Sequence, residues 1–142
     1  MKIISWNIWG CNHPSKIKTL TRKVKQEKPD VIFSQETKCS SEVMEKLGHK
    51  IWKGSKVMAI DAARMEGGLA ILWQPNSIDL SKWRYNNFSL TAKFKSLDSG
   101  TKGTLVNVYG PSAYPHKQVF YELFEVDKRV CRGGNLDHWR IF

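Results

Sequence analysis

The sequence predicts an α/β fold, and two observations carry the prediction. Between Ile3 and Glu36 a short apolar run, an amphipathic stretch of helical period and a second apolar run follow one another. That is a βαβ-type start, or an equivalent sheet with a helix on one face. After it come short strand-like pieces with turns between them, the pattern of a sheet that continues.

Ile3 to Ile8 reads as a buried strand that ends in Asn and Gly. Asn12-His13-Pro14-Ser15 is a turn leading into a helix. From Lys16 to Gln26 the apolar residues are Ile17, Leu20 and Val24, one stripe with lysines around it. This spacing predicts an amphipathic surface helix. Lys28-Pro29-Asp30 breaks it, and Val31 to Glu36 forms the second strand. Ser40 and Ser41 cap a short helix through Glu42–Leu47.

Further strand-like pieces are Ile51–Trp52, Val57–Ile60, Gly68–Trp73, Phe88–Phe94 and Thr104–Tyr109. Ser89 to Lys95 alternates with period two, as a half-exposed strand does. Asp98 to Gly103 is a loop joining that strand to the next as a hairpin. Pro115 opens a last helix with Val119, Phe120, Leu123, Val126 and Val130 on one face. Gly67-Gly68 reads as a tight entry into a strand, since no Gly-Lys-Ser/Thr follows to make a phosphate loop. The six Trp residues are expected mostly in the core or on sheet faces, and His13, His49 and His116 at the surface.

The 142 residues suit one domain, and 41% apolar with 25% charged residues is ordinary for a globular protein. The net charge is +10, from 23 basic and 13 acidic residues. A balance that basic favours a polyanionic partner, with nucleic acid the default. Cys11, Cys39 and Cys131 form no C-x-x-C pair, which leaves a zinc site or redox motif without support. Reduced thiols in an intracellular protein fit the odd count. The N-terminus has no signal-peptide core, and no apolar stretch approaches the ~20 residues that span a bilayer.

Three strand ends carry polar residues that packing does not require: Asn7, Glu36 and Tyr109. In α/β sheets ligands gather beyond one common end of the strands. Asn7 is also explained by the turn after it, and Tyr109-Gly110-Pro111 by an ordinary strand exit. Glu36 is harder to dismiss, because a carboxylate beside a buried strand needs a partner or a metal. Mg²⁺ prefers one or two carboxylates and several waters. Glu36 suits that role, Asn7 suits a direct or supporting oxygen contact to the metal, and the Tyr109 phenol suits donation to a phosphate oxygen.

Four motifs fall in order: Ser5-Trp6-Asn7-Ile8, Pro29 to Lys38 ending in Gln35-Glu36-Thr37-Lys38, Gly67 to Trp73, and Asn107-Val108-Tyr109-Gly110-Pro111. With them the chain resembles the endonuclease/exonuclease/phosphatase superfamily from Met1 to about Val126. It looks closest to the endonuclease domains of plant non-LTR (LINE-type) retrotransposons. The resemblance implies a DNase I-like α/β sandwich of two sheets with helices outside. It implies Mg²⁺, with Mn²⁺ as the alternative, held at the position of Glu36, with Asn7 beside metal and phosphate and Tyr109 near the scissile phosphate. DNA is then the substrate, and the nucleus the place of action.

The family pattern continues with Gly-Asp-Phe-Asn and later Ser-Asp-His. This chain ends instead in Gly133-Gly134-Asn135-Leu136-Asp137-His138-Trp139-Arg140-Ile141-Phe142. Three readings stay open. Gly134 to Asp137 is a rearranged Gly-Asp-Phe-Asn; Leu136 to Trp139 is the terminal motif, with Asp137 and His138 restoring a catalytic base; or the tail carries neither. The expectation is therefore an N-terminal part of the domain in residues 1–130, its second half incomplete, and a divergent tail in residues 131–142. Endonuclease activity is expected to be impaired by truncation. The alternatives are a nucleic-acid-binding remnant without catalysis and a phosphatase of the same superfamily.

Overall fold

The computed structural model describes residues 1–11, 13–63 and 67–110, together with the backbone of residues 140 and 141. In chain order these form β1 (Ile3–Asn7), α1 (Pro14–Glu27), β2 (Val31–Gln35), α2 (Ser41–Ile51), β3 (Lys56–Ile60), β4 (Leu69–Trp73), β5 (Ile78–Tyr85), β6 (Ser89–Ser96), β7 (Lys102–Val108) and β8 (Arg140–Ile141). They build two sheets, one in the order β3-β4-β2-β1-β8 and one in the order β5-β6-β7. The expected α/β sandwich of two sheets is observed. The helix expected from Pro115 lies outside the described residues.

β4 is apolar throughout and β1 and β2 open on apolar residues, where the strands are covered on both faces. Side chains alternate along a strand. Ile3, Val31, Phe33, Leu69, Ile71 and Trp73 pack against Ile78, Leu90, Phe94 and Leu105 of the second sheet. Ile4, Ile32, Ala70 and Leu72 point the other way, onto Leu20 and Val24 of α1 and Met44 and Ile51 of α2. β1 and β2 run parallel, in register from Ile3 opposite Val31 to Asn7 opposite Gln35. β4 then runs antiparallel to β2.

Pro14 stands in the first turn of α1, where its missing N–H costs nothing, and Lys28 ends the helix in a left-handed conformation. Ser40 caps α2, its Oγ accepting from the Val43 N–H at 3.2 Å. This helix runs to Ile51, so the expected strand at Ile51–Trp52 is wrong: Ile51 closes the apolar face made by Met44 and Gly48. Gly48 does not terminate the helix. It lets α2 approach the sheet, for a Cβ there would collide with Val57 Cγ2. β5 was not expected from the sequence. Only Ile78 and Leu80 pack toward the core, and a bulge between Ser81 and Arg84 breaks the alternation. β6 and β7 form the anticipated hairpin. Among the described residues no helix is long and apolar enough to cross a membrane.

One polar residue ties the sheets together. Asn107 of β7 is fully buried. Its Nδ2 donates to the backbone carbonyls of Ser34 on β2, at 3.1 Å, and Ala70 on β4, at 2.8 Å. Its Oδ1 accepts from Gln35 Nε2 at 2.6 Å, and Gln35 also donates to Ser5 Oγ at 3.0 Å. Replacing Asn107 with Ala removes three buried hydrogen bonds at roughly 1 kcal/mol each, so a loss of about 3 kcal/mol is expected. Urea unfolding of Asn107→Ala measures it. An unchanged midpoint would show that apolar contacts alone join the sheets.

Candidate active site at the ends of β1, β2 and β7

Asn7 is the last residue of β1, and Glu36 follows the last residue of its parallel neighbour β2, so both lie at the same end of the larger sheet. Tyr109 follows β7, two residues beyond Asn107, whose bonds to Ser34 and Ala70 hold that strand over β2 and β4. The three strand ends meet at one carboxylate. Glu36 Oε1 accepts from Asn7 Nδ2 at 3.1 Å and from the Tyr109 hydroxyl at 2.8 Å. The convergence expected of Asn7, Glu36 and Tyr109 is thus present in the structure.

The backbone at Glu36 is unusual in a way that serves this meeting. Val31, Phe33 and Gln35 face the second sheet, so plain alternation would turn Glu36 toward the helices. Instead Glu36 takes φ 51°, in the left-handed region. A non-glycine residue there costs on the order of 1 kcal/mol or more and persists only where its surroundings hold it. Here the loops on either side do so. The Gly10 N–H donates to the Glu36 carbonyl at 2.7 Å, the Cys11 N–H to the Thr37 carbonyl at 3.0 Å, and the Lys38 N–H to the Gly67 carbonyl at 2.7 Å. Gly67 and Gly68 enter β4 as a tight turn, both at positive φ. They also make room, because a Cβ on Gly67 would stand 3.3 Å from Glu36 Cγ and one on Gly68 would strike Thr37 Oγ1.

The orientation of the Asn7 amide follows from its partners. A carboxylate oxygen only accepts and a backbone N–H only donates. Asn7 therefore turns Nδ2 to Glu36 and accepts the Trp9 N–H on Oδ1, at 3.0 Å. In this arrangement the amide positions the carboxylate, and contact of Oδ1 with a cation would require it to leave Trp9. The Tyr109 proton is likewise directed to Glu36.

Lys38 was not singled out from the sequence. Its Nζ lies 3.8 Å from Glu36 Oε2 and 4.8 Å from the centroid of the Trp9 ring. Lys16 Nζ donates to the Trp9 carbonyl at 2.7 Å. Burial pushes the Glu36 carboxyl up, but the hydrogen bonds from Asn7 and Tyr109, with the charges of Lys38 and Lys16, outweigh it and hold its pKa below the usual 4.5. Cys11 and Cys39 are thiols, not joined in a disulfide, on the two loops beside the site. Burial, together with a side-chain hydrogen bond and charge interaction with Cys39, pushes the Cys11 thiol up to about 12. Cys11 therefore stays protonated at neutral pH.

Could these residues hold a divalent cation? Among the described residues no three His, Cys, Asp or Glu side chains gather in a metal-binding group. One ionised carboxylate is nonetheless a sufficient protein ligand for Mg²⁺, which keeps most of its waters and takes phosphate oxygens. Oε1 already accepts two hydrogen bonds, so Oε2 is the atom suited to a cation. The donor set fits on those terms. Asp137 and His138 lie outside the described residues, as do His116 and Cys131. His13 and His49 are exposed, as expected. Trp83 lies on a sheet face, as expected, and is 52% exposed; Trp9 lies in the loop after β1, outside the expectation, and is 66% exposed.

A two-sheet α/β sandwich with a carboxylate at the shared end of its strands is the class of protein that the fold and site define. The chain belongs to the Endonuclease/Exonuclease/phosphatase family, whose profile matches residues 4–136. No curated protein matches it by sequence. Solved structures share the fold. An endonuclease/exonuclease/phosphatase family protein from Bacteroides thetaiotaomicron has a TM-score of 0.71 at 15% identity, over 96% of this chain and 58% of its own. The AP endonuclease LMAP from Leishmania major has 0.63 at 18%, over 91% and 46%. The endonuclease domain of TRAS1, a telomere-specific non-LTR retrotransposon, has 0.63 at 15%, over 90% and 54%. The chain thus spans about half the length of these structures.

The lowered Glu36 pKa has a consequence for stability. A depressed carboxyl stabilises the fold above its unfolded value of 4.5 and loses that contribution as pH falls through the folded value. The stability difference between wild type and Glu36→Gln is expected to shift against wild type as pH falls below 4.5. Urea midpoints between pH 7 and pH 3 test this; a difference independent of pH would contradict it.

Proposed function

We propose that this chain is a divalent-metal-dependent DNA endonuclease of the apurinic-endonuclease or DNase I type, related to the endonuclease domains of plant LINE-type retrotransposons. Family membership supports phosphoester hydrolysis, and the net charge of +10 supports a polyanionic substrate. The similarity to an AP endonuclease and to a retrotransposon endonuclease domain supports DNA, and with it action in the nucleus. One observation carries the reading: Glu36 is held ionised between Asn7 and Tyr109 where three strands end.

Mg²⁺ or Mn²⁺ bound at Glu36 supplies polarisation of a phosphoryl oxygen and charge neutralisation of the leaving oxygen. The chain's own residues do the rest. Glu36 offers Oε2 while Asn7 and Tyr109 fix its plane through Oε1. Asn7 is then a positioning residue, and its direct oxygen contact is the alternative role. Tyr109 stands next to the carboxylate, where rotation of its hydroxyl would let it donate to a phosphate oxygen. Lys38 adds a positive charge for the incoming phosphate. Asp137 and His138 are the candidates for orienting the attacking water.

The 142 residues contain no Gly-Asp-Phe-Asn sequence. A catalytic group misplaced by about 1 Å can cost 10²-fold, so the chain alone is proposed to be an impaired nuclease. The test is nicking of supercoiled plasmid with and without Mg²⁺. Slow, Mg²⁺-dependent nicking is expected, with a fall of about 100-fold or more in Glu36→Gln, where the shape stays and the charge goes. Nicking that survives this substitution, or needs no metal, overturns the proposed site. Rapid nicking overturns the impairment. A non-catalytic nucleic-acid-binding protein is the second reading, favoured by the exposed aromatic rings of Trp9, Trp83 and Tyr85. Metal-independent, salt-sensitive DNA binding without any nicking would select it.

A further inference from the structure

Among the described residues β5 is an edge strand of the smaller sheet, and it carries two large, partly exposed aromatic rings. Trp83 and Tyr85 of β5 are 52% and 42% exposed and stack on each other, with centroids 6.2 Å apart and planes 19° from parallel. Trp83 lies within a bulge: Ser81 pairs with Lys93 and Arg84 with Thr91, which leaves Lys82, at φ 47°, and Trp83 between them. Basic residues stand on the same two strands. From Ile78 to Ser96 the chain has Lys82, Arg84, Lys93 and Lys95 against a single acidic residue, Asp79. Arg84 and Tyr85 also line a recess with Asn86, Ser89 and Thr91.

Edge-strand protection does not account for the rings. A bulge and charged side chains suffice to deter pairing with another chain, and Lys82 and Arg84 supply both here. Large exposed aromatics work against that purpose. Nor do the rings serve the core, since each keeps about half its surface in water.

Their place in the sheet relates them to Glu36. Tyr85 pairs with Leu90, and Leu90 with Asn107. Tyr109 lies two residues further on, its N–H bonded to the Phe88 carbonyl. The aromatic pair is therefore at the same end of the sheet as Tyr109, two strands away. At about 4.8 Å per strand this is about 10 Å across the sheet.

We infer that Trp83 and Tyr85 form a stacking platform for unpaired bases of a DNA strand whose phosphates run past Lys82 and Arg84 toward Glu36. The inference rests on the reading of Glu36 as a phosphodiester-cleaving site and adds the form of the substrate. Bases inside a duplex have their faces covered by their neighbours, whereas an unpaired base offers its face to an aromatic ring. Basic side chains hold the backbone irrespective of sequence. The platform thus selects DNA with an unpaired stretch beside the scissile bond.

The experiment is fluorescence anisotropy with a labelled oligothymidylate and an abasic oligonucleotide of equal length. Wild type is expected to bind the base-bearing strand about tenfold more tightly, in keeping with stacking on aromatic side chains. Trp83→Ala combined with Tyr85→Ala lowers its affinity to that for the abasic strand, while Trp83→Phe retains the preference. Lys82→Ala weakens both strands alike and flattens the salt dependence. Equal binding of the two strands by wild type, or a preference that survives loss of both rings, overturns the platform. Plasmid nicking keeps the two proposals apart. Nicking by a chain without the preference overturns the platform alone, and a ring-dependent preference without nicking supports the platform while the catalytic reading fails.

Discussion

The buried amide of Asn107 is the contact on which the site depends. Apolar packing between two sheets is strong but non-directional. Side chains such as Phe33, Ile71, Leu90 and Leu105 would tolerate small relative displacements with little change in buried area. Three hydrogen bonds from one amide would not. Asn107 reaches carbonyls on two adjacent strands of the larger sheet and receives Gln35. Gln35 directly precedes Glu36, and Tyr109 lies two residues after Asn107. The network that sets the register of the sheets thereby sets the distance from phenol to carboxylate.

A second constraint acts within the larger sheet. Left to strand alternation, Glu36 would face α1 and α2 and could not meet Tyr109. The left-handed turn at Glu36 redirects it. That turn is held by carbonyl and N–H partners from the loop after β1 and the loop before β4. Gly67 and Gly68 are needed there for space as much as for conformation. Backbone strain, glycine placement and the aim of the carboxylate are one arrangement: backbone hydrogen bonds hold the turn, and Asn7 and Tyr109 hold the carboxylate.

Much of this was legible in the sequence. Continuous apolar runs marked β2 and β4 because both faces are covered, and the stripe of Ile17, Leu20 and Val24 marked α1. Polar residues ending apolar strands marked Asn7, Glu36 and Tyr109. The misses have physical causes. β5 has only two core-facing residues before its bulge, too few for alternation to register. Gly48 reads as a helix end by propensity, yet it is close packing that requires glycine there. Trp9 looks like a core residue by type, and only the loop after β1 puts it in water. Asn107 was visible within a motif, but its role exists only once the second sheet lies on the first. Lys38 stands two residues after Glu36, and what makes it matter is the turn between them.

The charges around Glu36 leave an ionised carboxylate beside a lysine that does not close on it. In a chain of net charge +10 an isolated carboxylate would repel phosphate locally. Here Asn7 and Tyr109 spread its charge without neutralising it, and Lys38 stands off at 3.8 Å, beyond hydrogen-bonding distance. Lys38 is also supported by the Trp9 ring, so it need not close on the carboxylate to be stabilised. The carboxylate stays ionised, and on the proposed reading Oε2 is left for a cation and the lysine for a phosphate. A direct Lys38–Glu36 hydrogen bond would have cancelled both groups. The separation keeps each available for its own partner.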